Sequence, residues 1–154
     1  KLVIKVVETK TRAMIDKCVE LTAYEAQYRI PWIVFDRDQV QGFDEIIAEA
    51  EKKDIQVGWS NPCFEIWLLL HAKDQKAAIN TDALIKELKK SAPVWKNYNK
   101  SAFTETQQSF LKGNTDIAIE RAKGLKEFQN PSTGIYKLIE MLQGDDRLLQ
   151  ESGK

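Results

Sequence analysis

The chain has 154 residues, 43% hydrophobic and 30% charged, a composition that suits one globular domain with a sizeable core. Lys plus Arg and Asp plus Glu both number 23, so the formal net charge is zero. That balance argues against a strongly basic module that coats nucleic acid, while leaving room for a local basic face.

The chain opens with KLVIKVV, and Leu2 to Val7 predicts a strand, β-branched and nearly continuous. Because the first residue is Lys1 and the strand pattern is already under way, the domain is expected to begin upstream. Thr9 or Thr11 can cap a following helix whose apolar stripe is Met14, Ile15, Cys18 and Val19, fading near Tyr28. Ile30 to Phe35 predicts a second strand, apolar on both faces, with Pro31 near its start. After Gly42, a helix is marked by Phe43, Ile46, Ile47 and Ala50, with Asp44 and Glu45 in the first turn where the macrodipole favours them. Ile55 to Trp59 predicts a third strand. Asn61 as N-cap and Pro62 at the first helical position would then open a helix, CFEIWLLLHA, apolar nearly all round and so buried.

Strands that are apolar on both faces and alternate with helices predict an α/β fold with a small parallel sheet. From about Lys73 the pattern turns helical, with helices expected at Thr81–Lys90, Ala102–Lys112, Thr115–Gln129 and Thr133–Gln143. SAPVWKNYNKSAF between them reads as a loop with exposed aromatics. The expected layout is an α/β core over residues 1–75 and a helical extension over 76–154 packed on it. No apolar run approaches the roughly 18 residues that a spanning helix needs. No signal-peptide pattern opens the chain either, so a cytoplasmic protein is expected. Cys18 and Cys63 lie in apolar stretches and read as buried reduced thiols. His71 is the only histidine, which argues against a zinc site of paired His or Cys.

The chemistry concentrates in PWIVFDRDQV, where an apolar strand runs into Asp36 and Asp38. In parallel α/β sheets ligands bind at the carboxyl ends of the strands, and residues two apart in an extended segment point the same way. Paired carboxylates repel unless a proton or cation intervenes, and Mg²⁺ is a common cation in such places. The alternative is a solvated turn in which Asp serves turn chemistry. SNPCFE, after the next strand, would open on the same crevice. Glu65 is a carboxylate on an otherwise apolar helix and needs a partner, whether a site cation or a local dipole interaction. The helix start offers free N–H groups for a phosphate oxygen. Ser60 and Asn61 are candidates to position phosphate or metal waters, although Asn61 also reads simply as the cap. His71, Trp59, Phe64 and Trp67 read as core residues. Lys96 and Lys100, beside Trp95 and Tyr98, could touch nucleic acid by charge and stacking, or form an ordinary surface loop.

DRDQV also resembles the DxDx(T/V) motif of haloacid-dehalogenase-type phosphatases, which would make Asp36 a nucleophile and Asp38 a general acid/base. That family needs a late acidic pair after a strand, whereas Asp145–Asp146 here follows a helical pattern. The fuller resemblance is to the RloB-like family, a Toprim-related group. Its signature is matched by WIVFDRDQ and IQVGWSNPCFEIWLLLH, and its closing segment by AIERAKGLKEF and NPSTGIYKLIEML. The resemblance implies a Toprim-type sheet and a metal-dependent nuclease of phage defence or abortive infection, acting on RNA or DNA beside an ATPase partner. It implies that Asp36 and Asp38 bind Mg²⁺ or Mn²⁺. An upstream Toprim Glu has no match here, and Glu8 is a candidate by position only. Glu65 could complete the acidic cluster. A rival of another class is a non-catalytic partner or nucleic-acid-binding module of such a system.

Overall fold

The computed structural model describes residues 4–6, 12–23 and 30–152, with side chains as far as residue 144. Among these, the chain forms six α-helices and a three-stranded sheet. Of the expected first strand, Ile4, Lys5 and Val6 are exposed and outside any strand, and Leu2, Val3 and Val7 lie outside the described residues, as do Glu8, Thr9 and Thr11.

Helix α1 (Ala13–Thr22) buries Met14 and Ile15, while Val19 faces outward, so its buried stripe is narrower than the pattern suggests. Arg12 precedes it without a side-chain cap. Strand β1 (Trp32–Asp36) follows, buried at Ile33 and Phe35. Gly42 adopts φ +71°, the left-handed region where a Cβ is disfavoured, and turns the chain into α2 (Phe43–Lys52). Phe43, Ile46 and Ala50 recur at helical spacing and seal α2 against the sheet, the two larger side chains each stabilising by roughly 2 kcal/mol. Strand β2 (Gln56–Asn61) pairs in parallel with β1, Trp32 opposite Gln56 through Asp36 opposite Ser60.

The sheet is mixed rather than parallel. A two-residue strand, β3 (Ser132–Thr133), runs antiparallel to the end of β2, with Ser60 opposite Thr133 and Asn61 opposite Ser132. It gives the backbone groups at the end of β2 partners they would otherwise lack. Just beyond it, the Gly134 N–H donates to the Trp59 carbonyl at 2.8 Å. Gly134 is required there: a Cβ would fall 2.1 Å from a ring carbon of Trp59.

Helix α3 (Glu65–Leu70) is buried at every residue, as its all-round apolar sequence predicts. It starts later than expected. Asn61 does not cap it but lies in β2, its amide donating to the Phe128 carbonyl at 3.0 Å, and the Asn61–Pro62 peptide is cis. Helix α4 (Thr81–Ser91) is capped by Asn80, whose Oδ1 accepts from the Ala83 N–H at 2.9 Å. The two helices expected across residues 102–129 are one, α5 (Glu105–Lys123), opened by a capping box between Thr104 and Gln107. Helix continues through Gly113, which is open to solvent, and through Asn114 and Thr115, whose side chains fold back to donate to the carbonyls of Phe110 and Leu111. Thr133 belongs to β3, and α6 runs from Ile135 to Ser152.

The aromatics of the 91–103 loop are not exposed. Trp95 is 0% and Tyr98 8% exposed, because a 3₁₀ turn at Pro93–Trp95 tucks the indole inward, edge-on to Tyr98, Phe103 and Phe110. Two core clusters result. One joins α1, α2, β1 and β2 around Ile33, Phe43, Ile46 and Trp59. The other joins α3 to α4, α5 and the start of α6 around Leu68, Leu84, Leu88 and Trp95. Helix α3, which lies before residue 75 in sequence, therefore packs with the helical part.

Candidate functional site: a carboxylate cluster at the strand ends

Because β1 and β2 are parallel, their carboxyl ends lie at the same edge, and Asp36 sits there opposite Ser60. The two loops that leave this edge are pinned to each other. The Asp38 N–H donates to the Pro62 carbonyl at 3.0 Å, and the Phe64 backbone N–H lies on the side of the Asp36 carboxylate, where it favours the charged form. The DRDQV and SNPCFE segments thus share one cleft.

Asp38 reaches that cleft by a different route from the one its spacing suggests. Residues Arg37–Gln39 form a 3₁₀ turn, not an extension of the strand. The turn sends Arg37 over the Phe43 ring, 5.3 Å from its centroid, and leaves Asp38 exposed beside α4, where the Thr81 hydroxyl donates to its Oδ2 at 2.6 Å. Thr81 can do this because Asn80 takes the capping duty at the start of α4.

Glu65 supplies a third carboxylate, 3% exposed. Its Oε1 accepts from the Tyr98 hydroxyl at 3.1 Å and lies 3.4 Å from the Lys100 ammonium. The buried carboxylate therefore has the partner its apolar helix demands, contributed by the loop before α5. The crowding shows in the neighbours. Burial, then repulsion from Asp38 and Glu65, pushes the Asp36 carboxyl up to about 6, against the opposing pull of the Phe64 N–H and Lys100. Burial first and Glu65 second push the Cys63 thiol up to about 12 and raise the Tyr98 phenol. Cys63 is thus a buried neutral thiol rather than a nucleophile.

The remaining candidates are committed elsewhere. Ser60 is 1% exposed, its hydroxyl 2.9 Å from that of Thr133 in the sheet interior. Asn61 holds the carbonyl of Phe128, a residue at φ +64° whose ring centroid lies 4.4 Å from that of Trp59. His71 is buried, which lowers its pKa; its Nδ1 donates to the Trp67 carbonyl at 2.8 Å and its ring meets Trp67 edge-on. Asp145 and Asp146 lie within α6 rather than after a strand.

Asp36 and Asp38 are hard oxygen donors, and part of the rise at Asp36 is repulsion from Asp38, which a cation would relieve, so this pair is the candidate to hold a divalent ion that keeps several waters. Among the described residues no group of three or more His, Cys, Asp or Glu is placed to hold a metal ion together. Glu65 is engaged by Lys100 and Tyr98 instead of completing such a set. Two residues of this neighbourhood escape a reading of sequence motifs as members of the carboxylate site: Thr81 and Tyr98. Only the tertiary fold brings their segments to the strand ends.

Among the described residues no helix is long and apolar enough to cross a membrane. Neither the curated proteins nor the solved structures contain a significant match to this chain. A family model described as RloB-like protein matches residues 3–142, most of the chain, and includes every residue of the carboxylate cluster. The chain belongs to the RloB-like protein family.

Proposed function

We propose that this protein is a divalent-metal-dependent nuclease of Toprim type, hydrolysing phosphodiesters of RNA or DNA. The observation that carries this reading is the pair Asp36 and Asp38 at the carboxyl end of β1, with Asp36 held up to about 6 by burial and by repulsion from Asp38 and Glu65. Asp36 and Asp38 would hold Mg²⁺ or Mn²⁺. When bound, such an ion polarises a phosphodiester and stabilises charge on its oxygens. The Thr81 hydroxyl orients the carboxylate of Asp38, and the Phe64 N–H favours the charged form of Asp36. Glu65 shapes the field around Asp36 from its buried position. The part that Ser60 and Asn61 play is support of the strand end from within, because both side chains are spent on internal hydrogen bonds. A role in phage defence or abortive infection, beside an ATPase partner and in the cytoplasm, is part of the same proposal and rests on family membership.

The test is cleavage of tRNA, single-stranded and duplex substrates with Mn²⁺ by the protein and by Asp36→Asn. Loss of a carboxylate that holds the ion should cost at least about 100-fold in rate. Equal cutting by both proteins would remove the assignment. Absence of metal-dependent cleavage by either, with capture of the ATPase intact, would favour a non-catalytic partner module. Turnover of a small phosphate monoester, with fluoroberyllate trapped on Asp36, would favour the phosphatase chemistry.

A further inference from the structure

Lys100 lies at the mouth of the carboxylate cluster. Its side chain is 62% exposed, yet its ammonium reaches a carboxylate that is 3% exposed. It acts on more than Glu65, since its positive charge also draws on Asp36 at the end of β1. The backbone that carries it is anchored on both sides. Trp95 and Tyr98 are buried before it, the Ser101 N–H donates to Asn99 Oδ1 at 2.9 Å, and the Thr104 capping box fixes the chain after it. Tyr98 and Lys100, two residues apart, engage the same Glu65 oxygen. A lysine whose side chain is largely solvated, yet whose head meets a buried carboxylate, is a counter-ion delivered to that carboxylate by an anchored backbone.

We propose that Lys100 is a positioning residue of the site, a tethered ammonium that shares the carboxylate cluster with the divalent ion, holding Glu65 when the ion is absent and setting how tightly the ion binds. The inference rests on the metal reading of Asp36 and Asp38. Its physical basis is that a positive charge already placed among the carboxylates lowers the negative potential an incoming cation meets. At this short range salt screens the effect only in part. A salt bridge that merely braced the loop would act in the opposite sense: removing it would loosen Glu65 and leave metal binding unchanged or weaker.

Titration of the intact protein with Mn²⁺ alone, followed by calorimetry or by the loss of the free Mn²⁺ resonance signal, separates these outcomes without any substrate. Lys100→Met should bind Mn²⁺ about tenfold more tightly than the unaltered chain, as expected for removing one nearby positive charge. Lys100→Arg, which keeps the charge, should bind as the unaltered chain does. Lys100→Gln should repeat the tightening, so that a folding defect peculiar to one variant cannot imitate the result. Mn²⁺ bound equally well or more weakly by Lys100→Met and Lys100→Gln would overturn this proposal while leaving the metal reading intact. Tight binding retained in Asp36→Asn, or no binding by any variant, would overturn both.

Discussion

The regions around the two cores of this molecule differ in how completely they are covered. Around α3, the residues Ile66, Leu69, Leu70, Leu84, Leu88, Trp95 and Ala118 are 0% exposed. The sheet-side core is as dry within, with Ile15 and Ala50 at 0%, but the sheet beside it keeps an open face: Val34 on β1 is 53% exposed and Ile30 just before it 63%. The carboxylates at the candidate site straddle this divide. Asp36 and Asp38 leave the sheet, whereas Glu65, Thr81, Tyr98 and Lys100 come from the tightly packed helical part. A site of that kind draws its reactive charge from the more open region and its rigid partners from the closed one, the arrangement by which packed elements position functional side chains.

The comparison can be broken most severely at Trp95. Replacing this fully buried indole by alanine should cost about 4 kcal/mol and lower Tm by roughly 8–16 °C, read by thermal denaturation. It should also weaken the hold of Tyr98 and Lys100 on Glu65, because Tyr98 packs on the same ring. Gly134→Ala attacks the join between the regions, where a Cβ would collide with Trp59, and should destabilise by about 3 kcal/mol. A milder cost would mean that β3 and α6 can shift away from β2. Asp36→Asn should act in the opposite direction on stability. The carboxyl is raised from 3.8 to about 6 in the folded protein, so folding retains a proton that the unfolded chain releases first. Stability is therefore fully present below about pH 4 and declines as pH rises towards 6. With solvent screening allowed for, Asp36→Asn should gain about 1–2 kcal/mol at pH 7.5 and nothing at pH 4, as measured by denaturant unfolding. Thr81→Val is the gentlest probe. It removes one hydrogen bond to an exposed carboxylate, and should change folding by less than about 1 kcal/mol while lowering metal-dependent cleavage severalfold.

The α/β character, the strand that ends in DRD, the buried α3 and the helical second half were all legible in the residues, because each follows from apolar periodicity over short stretches. The errors share a cause. Asn61 looks like a helix cap and Thr133 like the start of a helix, yet both are drawn into the sheet by partners that are distant in sequence, Ser132 and Ser60. Gly113 and Asn114 look like a break, yet the helix runs through them, Gly113 on an open surface and Asn114 bonded back to the Phe110 carbonyl. The aromatic loop looks exposed because nothing local shows that α4 and α5 leave a slot for Trp95.

The sequence by itself determined the membership of this chain in its family, the order of its main elements and the place of two carboxylates at a strand end. Those properties are written in residue types and spacings over a few turns. Only the tertiary structure decided that β3 runs antiparallel, that Asp38 reaches the cleft through a 3₁₀ turn, and that Lys100 lies against Glu65. Pairing, burial and charge compensation act between residues far apart along the chain, and their energies exist only once folding has brought those residues together.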